Sequence, residues 1–170
     1  MISKYCFAGE QLSSRFRATA SRGGDLKMVR PTLIVCTALA LSACATTPVS
    51  LDAAKQTPAE RVLAFQQPPS GTPSSIVVTR DKGFLGGGCY YALLINGTLA
   101  ARFDTGETAK FFMEPGEILL RAGRDPEGKA LCAAGQDDWT QRETVLHPQE
   151  TKYFRLSIDA NGKTDIQRAE

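Results

Sequence analysis

Asn96-Gly97, set between two apolar runs, limits this chain more than any other pair of residues. A two-residue hairpin turn of type I′ needs positive φ at both central positions, and Asn-Gly tolerates that best. Residues 89–95 therefore lead into a turn, and residues 98–103 return from it. In the register such a turn imposes, Ile95 opposes Thr98, Leu94 faces Leu99, Ala92 faces Ala101 and Tyr90 faces Phe103. Side chains alternate along a strand, so the last six of these residues share one apolar face. The other face carries Cys89, Tyr91, Leu93, Ile95, Thr98, Ala100 and Arg102. The first set is the expected core face, and the apolar part of the second calls for partial cover.

The same period of two runs through residues 74–170, cut by turn signals. Further strands are predicted over 75–80, 109–113, 117–122, 141–147, 152–158 and 164–168. Pro115-Gly116 reads as a tight turn and Asn161-Gly162 as a last hairpin. Residues 81–88 form a Gly-rich connection, and residues 123–139 are the one long irregular stretch. No useful helical period follows residue 74. The expected fold is all-β, an antiparallel β-sandwich of about seven to eight strands over residues 74–170. Upstream, Thr57-Pro58-Ala59-Glu60 has the form of a capping box and predicts a short helix with Val62, Leu63 and Phe65 to bury. Pro68 and Pro69 stop it. Residues 45–56 are small and polar and predict a flexible tether.

Charge divides the chain unevenly. Residues 1–44 hold six Lys/Arg against two Asp/Glu, and residues 45–170 hold fourteen against sixteen, so a net of +4 is followed by a net of −2. The second part has no basic excess for nucleic acid. The first has the charged start and apolar run of an export signal. The run, residues 32–41, would span about 15 Å as a helix, half a bilayer core, which is too short to cross it. Leu41-Ser42-Ala43-Cys44 follows, and it resembles the lipobox of bacterial lipoproteins. That resemblance implies cleavage before Cys44 and a diacylglyceryl group on its sulfur, hence a membrane anchor. In Gram-negative lipoproteins an aspartate at this place commonly retains the protein in the inner membrane, so for such a source Ala45 implies the periplasmic face of the outer membrane. Met28 lies just ahead of the run, so residues 1–27 read as a gene-start extension, 28–43 as signal peptide and 44–73 as lipidated N-terminus, linker and short helix.

The chain has five cysteines. Cys6 and Cys36 fall in the leader and Cys44 goes to lipid, which leaves Cys89 and Cys132. In an exported chain these are expected to form a disulfide. The alternatives are two separate thiols or a metal site, although two cysteines and one histidine without close spacing make poor zinc ligands. A bond from Cys89 is expected to draw the 123–139 loop over the second hairpin face, where Trp139 or Leu131 shields Tyr91 and Leu93.

No catalytic constellation emerges. His147, the only histidine, precedes Pro148 in a turn. Gly83-Phe84-Leu85-Gly86-Gly87-Gly88 lacks the Gly-Lys-Ser/Thr ending of a phosphate loop and leads into a strand rather than a helix. Asp137 and Asp138 are neighbours on an extended chain and point apart, so they make no acid–base pair. Asp125 and Glu127 match no calcium loop. No metal and no cofactor are expected. The candidate partner contacts are Phe84, at the tip of the Gly-rich connection, and Asp137, Asp138 and Trp139.

Four further pieces carry a second resemblance: Ile76-Val77-Val78-Thr79-Arg80, Leu93-Leu94-Ile95-Asn96-Gly97-Thr98-Leu99, Phe111-Phe112-Met113-Glu114-Pro115-Gly116-Glu117 and Glu150-Thr151-Lys152-Tyr153-Phe154. Residues 75–158 resemble the PEGA-like domain-of-unknown-function family of small bacterial envelope lipoproteins. Glu150 stands where that pattern usually has glycine, and Phe154 replaces a tyrosine. The resemblance implies a sandwich fold and an envelope location and transfers no catalytic residues. The expected function is a membrane-anchored, non-enzymatic binding or structural module that meets an envelope protein or peptidoglycan. The alternative is an inhibitor of a lysozyme-like hydrolase, presented on the disulfide-tied loop.

Overall fold

A computed structural model describes residues 46–84, 86–159 and 161–169, so Cys44 and the leader lie outside the described residues. Nine strands are present among them: β1 (Lys55–Gln56), β2 (Ser74–Arg80), β3 (Tyr91–Ile95), β4 (Thr98–Phe103), β5 (Glu107–Met113), β6 (Gly116–Arg124), β7 (Thr140–Leu146), β8 (Thr151–Ile158) and β9 (Thr164–Arg168). They form one sheet in the order β1-β5-β2-β8-β9 and another in the order β4-β3-β6-β7. The inner faces of the two sheets meet in a single apolar cluster, which makes the fold an all-β sandwich. Each of the eight strands expected from alternation is present, with ends within two residues.

Most pairings are antiparallel, but β2 and β8 run parallel, with Val78 beside Phe154. These strands are distant in sequence, so no hairpin dictates their direction. Pro115-Gly116 does not close a hairpin either. It carries the chain from β5 in one sheet to β6 in the other.

The Asn96-Gly97 turn has positive φ at both residues, 48° and 82°. Ile95 opposes Thr98 and Leu94 opposes Leu99, as the turn requires. The register then shifts, and Leu93 opposes Ala101, Ala92 opposes Arg102 and Tyr91 opposes Phe103. Ala100 is the extra residue of a β-bulge. Below the bulge the alternation of β4 is inverted relative to β3, which corrects the expected core face. Tyr91, Leu93 and Ile95 point inward with Ala101 and Phe103, while Tyr90 is 43% exposed. Phe103 meets Phe111 of the opposite sheet edge-on, with ring centroids 6.4 Å apart.

The segment before β2 is neither a free tether nor a helix. Thr46 is held to Ile158, whose N–H donates to the Thr46 hydroxyl at 2.9 Å. Thr47 and Lys82 exchange backbone hydrogen bonds of 2.6 and 3.0 Å. Lys55–Gln56 pairs with Glu107 and Thr108. The Thr57 hydroxyl donates to the Thr108 carbonyl at 3.1 Å instead of capping a helix, and Ala59–Arg61 is a single 3-10 turn. Tertiary pairing wins here because a two-turn helix is marginal alone, whereas β4 has an open edge to fill. Leu63 N–H donates to the Ala100 carbonyl at 2.8 Å, so this strap covers the bulge. Val62 and Phe65 pack against the core.

An ion pair pins the strap. Arg61 forks onto both carboxylate oxygens of the buried Glu107, one contact at 2.6 Å, and also donates to the Arg102 carbonyl at 3.0 Å. The hydrogen bond to Glu107 leads the causes that raise the Arg61 pKa. Glu107 also accepts from the Asp104 N–H at 2.7 Å. Glu107→Ala strands these donors and is expected to cost about 2 kcal/mol. Hydrogen exchange should then accelerate over residues 57–65 ahead of the sheets. Uniform exchange across strap and sheets would show that the pair does not hold the strap.

Candidate functional site

One end of the sandwich gathers most of the residues singled out by sequence. It is built from two loops, residues 81–90 and residues 125–139, which the Cys89–Cys132 disulfide joins with a Cα separation of 5.4 Å. The pairing expected from the cysteine count is present.

Arg80, the last residue of β2, organises the first loop. It follows Ile76 and Val78 on the inner face and is only 2% exposed. Its guanidinium donates to the carbonyls of Cys89 at 2.7 Å, Phe103 at 2.8 Å and Gly86 at 2.7 Å. It also lies 4.3 Å from the centre of the Tyr91 ring. Burial pushes its pKa down to about 10, so it remains a cation near neutrality. No carboxylate forms an ion pair with it among the described residues; carbonyl dipoles and the ring face carry that role. Gly86 has φ +70°, and a Cβ there would fall 2.6 Å from Ile158 Cδ1 and 2.8 Å from the Tyr91 hydroxyl. Only glycine lets the loop lie so close. Gly87 N–H closes a turn on the Phe84 carbonyl at 3.1 Å. Phe84, carried on that turn, is 88% exposed.

The second loop holds itself in place through Asp125. Asp125 N–H donates to the Tyr90 carbonyl at 3.1 Å, its carboxylate accepts from Glu127 N–H at 3.0 Å, and Arg102 Nε lies 3.2 Å from it. Gln136 Nε2 donates to the carbonyls of Asp125 at 2.7 Å and Gly128 at 3.0 Å. Ala130–Ala133 forms a 3-10 turn that leaves Leu131 86% exposed. Asp137 and Asp138 face solvent.

Trp139 and Leu131 do not shield Tyr91 and Leu93, which need no shield because they point inward. Trp139 lies on the outer face of the four-stranded sheet, over Gly123, where a Cβ would stand 2.9 Å from the indole. The Arg121 guanidinium stacks 5.3 Å from that ring. His147 is apart from the loop pair, in the exposed β7–β8 turn, where Glu150 accepts its backbone N–H at 2.9 Å. That hydrogen bond is the leading cause that lowers the Glu150 pKa. No group of three or more His, Cys, Asp or Glu is placed to hold a metal ion among the described residues.

Sequence reasoning did not single out Arg80 or the exposure of Leu131. For Arg80 the signal was present: Ile76, Val78 and Arg80 are two apart, and alternation puts all three on one face. No protein-family model matches the chain, and no curated protein matches it.

Proposed function

We propose that this chain is a lipid-anchored, non-enzymatic binding module of the bacterial envelope, tethered through Cys44 at the periplasmic face of the outer membrane. It engages an envelope partner through its disulfide-tied loop. The observation that carries this reading is the Cys89–Cys132 bond between loops bearing Phe84 and Leu131. Such bonds persist in oxidising compartments, in keeping with the leader and the Leu41-Ser42-Ala43-Cys44 signal. A large apolar side chain exposed on a cross-linked loop loses little entropy on binding, which favours association. The narrower reading is an inhibitor of a lysozyme-like hydrolase. It rests on the exposed carboxylates of Asp137 and Asp138, which suit a basic cleft, and a lysozyme inhibition assay separates it from a general partner.

The anchor is tested by fractionating cells that express the full chain. The parent should stay with membranes through a carbonate wash, and Cys44→Ala should move to the soluble periplasmic fraction. A Cys44→Ala chain that stayed on the membrane would sink the proposal.

A further inference from the structure

We infer that Phe84 enters the bilayer beside the lipid on Cys44, so that the sandwich stands with its disulfide-tied end against the membrane. The inference rests on the proposed anchor. Cys44 precedes Thr46 by two residues, and two residues of chain span at most about 7 Å. Thr46 itself is fixed. Its N–H and hydroxyl meet Ile158, and Thr47 is paired with Lys82. The anchor therefore leaves the fold at a defined point, without the slack that residues 45–56 would supply as a coil.

Phe84 is carried beside that point. A Cβ on Gly83 would fall 2.9 Å from Thr46 Cα, and one on Gly86 would fall 2.6 Å from the side chain of Ile158. The turn bearing Phe84 thus packs on the two residues that hold the anchor, and Arg80 grips it from within through the Gly86 and Cys89 carbonyls. Phe84 is the most exposed of the large apolar side chains in the described part of the fold. An exposed aromatic ring beside the Gly86 carbonyl that Arg80 holds, near the point where an acyl anchor leaves the fold, is suited to the headgroup and acyl boundary. Lys82 and Lys163 add charge for lipid phosphates. Lys82 is exposed and pairs with Thr47, whereas exposed Lys163, which lines the same cavity as Thr46, faces Asp159 and Asp165 there, so Lys82 carries most of this attraction. The disulfide then holds the 125–139 loop near the bilayer surface, so a partner of that loop works close to the membrane.

The test uses the full chain, processed in cells and reconstituted in phosphatidylethanolamine–phosphatidylglycerol vesicles with brominated acyl chains. The parent has one tryptophan, Trp139, which supplies the baseline emission. In Phe84→Trp the added indole should lose roughly half or more of its emission to bromine and shift to the blue, as a ring 5–10 Å into the interface would. Val145→Trp, near the Asn96-Gly97 end, should add emission that bromine leaves intact. Intact mass reports the lipid on Cys44. A lipidated, vesicle-bound Phe84→Trp whose added emission is unquenched overturns the orientation and leaves the anchor standing. A chain that carries no lipid overturns both.

Discussion

Replacing Arg80 with methionine is expected to lower the free energy of unfolding by about 3 kcal/mol, the sum of two stranded acceptors and a poorly filled site. Methionine approximates the length of the arginine stem but donates no hydrogen bond. The carbonyls of Cys89 and Phe103 then lose this donor inside the fold, while the Gly86 carbonyl keeps the Cys89 N–H at 3.3 Å. Each buried, unpaired carbonyl costs about 1–3 kcal/mol. Relief from burying a cation offsets part of this, because the guanidinium is desolvated without a carboxylate beside it. The geometry decides the balance. One planar group reaches three carbonyls on two segments while its face lies on Tyr91, which a point charge cannot reproduce. Arg80→Lys should therefore recover little of the loss, although it keeps the charge. Urea midpoints at constant m-value measure both variants. If Arg80→Met stayed within about 0.5 kcal/mol of the parent, the scale of a surface substitution, Arg80 would be a passenger rather than the clasp of the Phe84 loop.

The strands were legible because alternation and turn chemistry are local. Residues 89–103 carry their own turn, and Asn96-Gly97 pairs Ile95 with Thr98 and Leu94 with Leu99 as the turn demands. What lay beyond local pattern was missed. Both faces of β3 are apolar, so composition could not say which turned inward. The bulge at Ala100, covered by Leu63 and Ala64 of a segment far upstream, decided it. The strap was hidden for the opposite reason. Lys55 and Gln56 make a two-residue strand with both residues exposed, which has no period to detect, and the capping box at Thr57 offered a local alternative that sheet pairing displaced. At the candidate site, the disulfide followed from counting cysteines. Arg80 did not stand out because an arginine at a strand end is ordinarily solvated. Only the closure of the 81–90 loop over it, against the Phe103 carbonyl and the Tyr91 ring, makes it internal.

Removing the disulfide is the other large effect, and it acts mainly through the unfolded chain. Cys89 and Cys132 are 43 residues apart, and releasing a loop of that length returns about 4 kcal/mol of conformational freedom to the denatured state. For a domain of this size that is a large part of the whole stability, and it corresponds to a fall in Tm of about 15 °C. Cys89→Ser with Cys132→Ser is the appropriate variant, because a single change leaves a reactive thiol. The folded sheets should survive, since the loop crossed by the bond has other ties: Asp125 to Tyr90, Gln136 to Asp125 and Gly128, and Arg102 to Asp125 and Glu127. Among the described residues only one further tie reaches Ala130–Ala133, an exposed 3.3 Å hydrogen bond from Arg124 to the Leu131 carbonyl. Hydrogen exchange around Leu131 should rise well above the global change, and exchange near Phe84 much less, because Arg80 still holds the Gly86 and Cys89 carbonyls. Reducing the parent with dithiothreitol should reproduce the double variant in both Tm and exchange. A double variant that melts with the parent would mean that the bond constrains neither the denatured chain nor the loop. The partner surface would then owe its order to Asp125 and Gln136 alone.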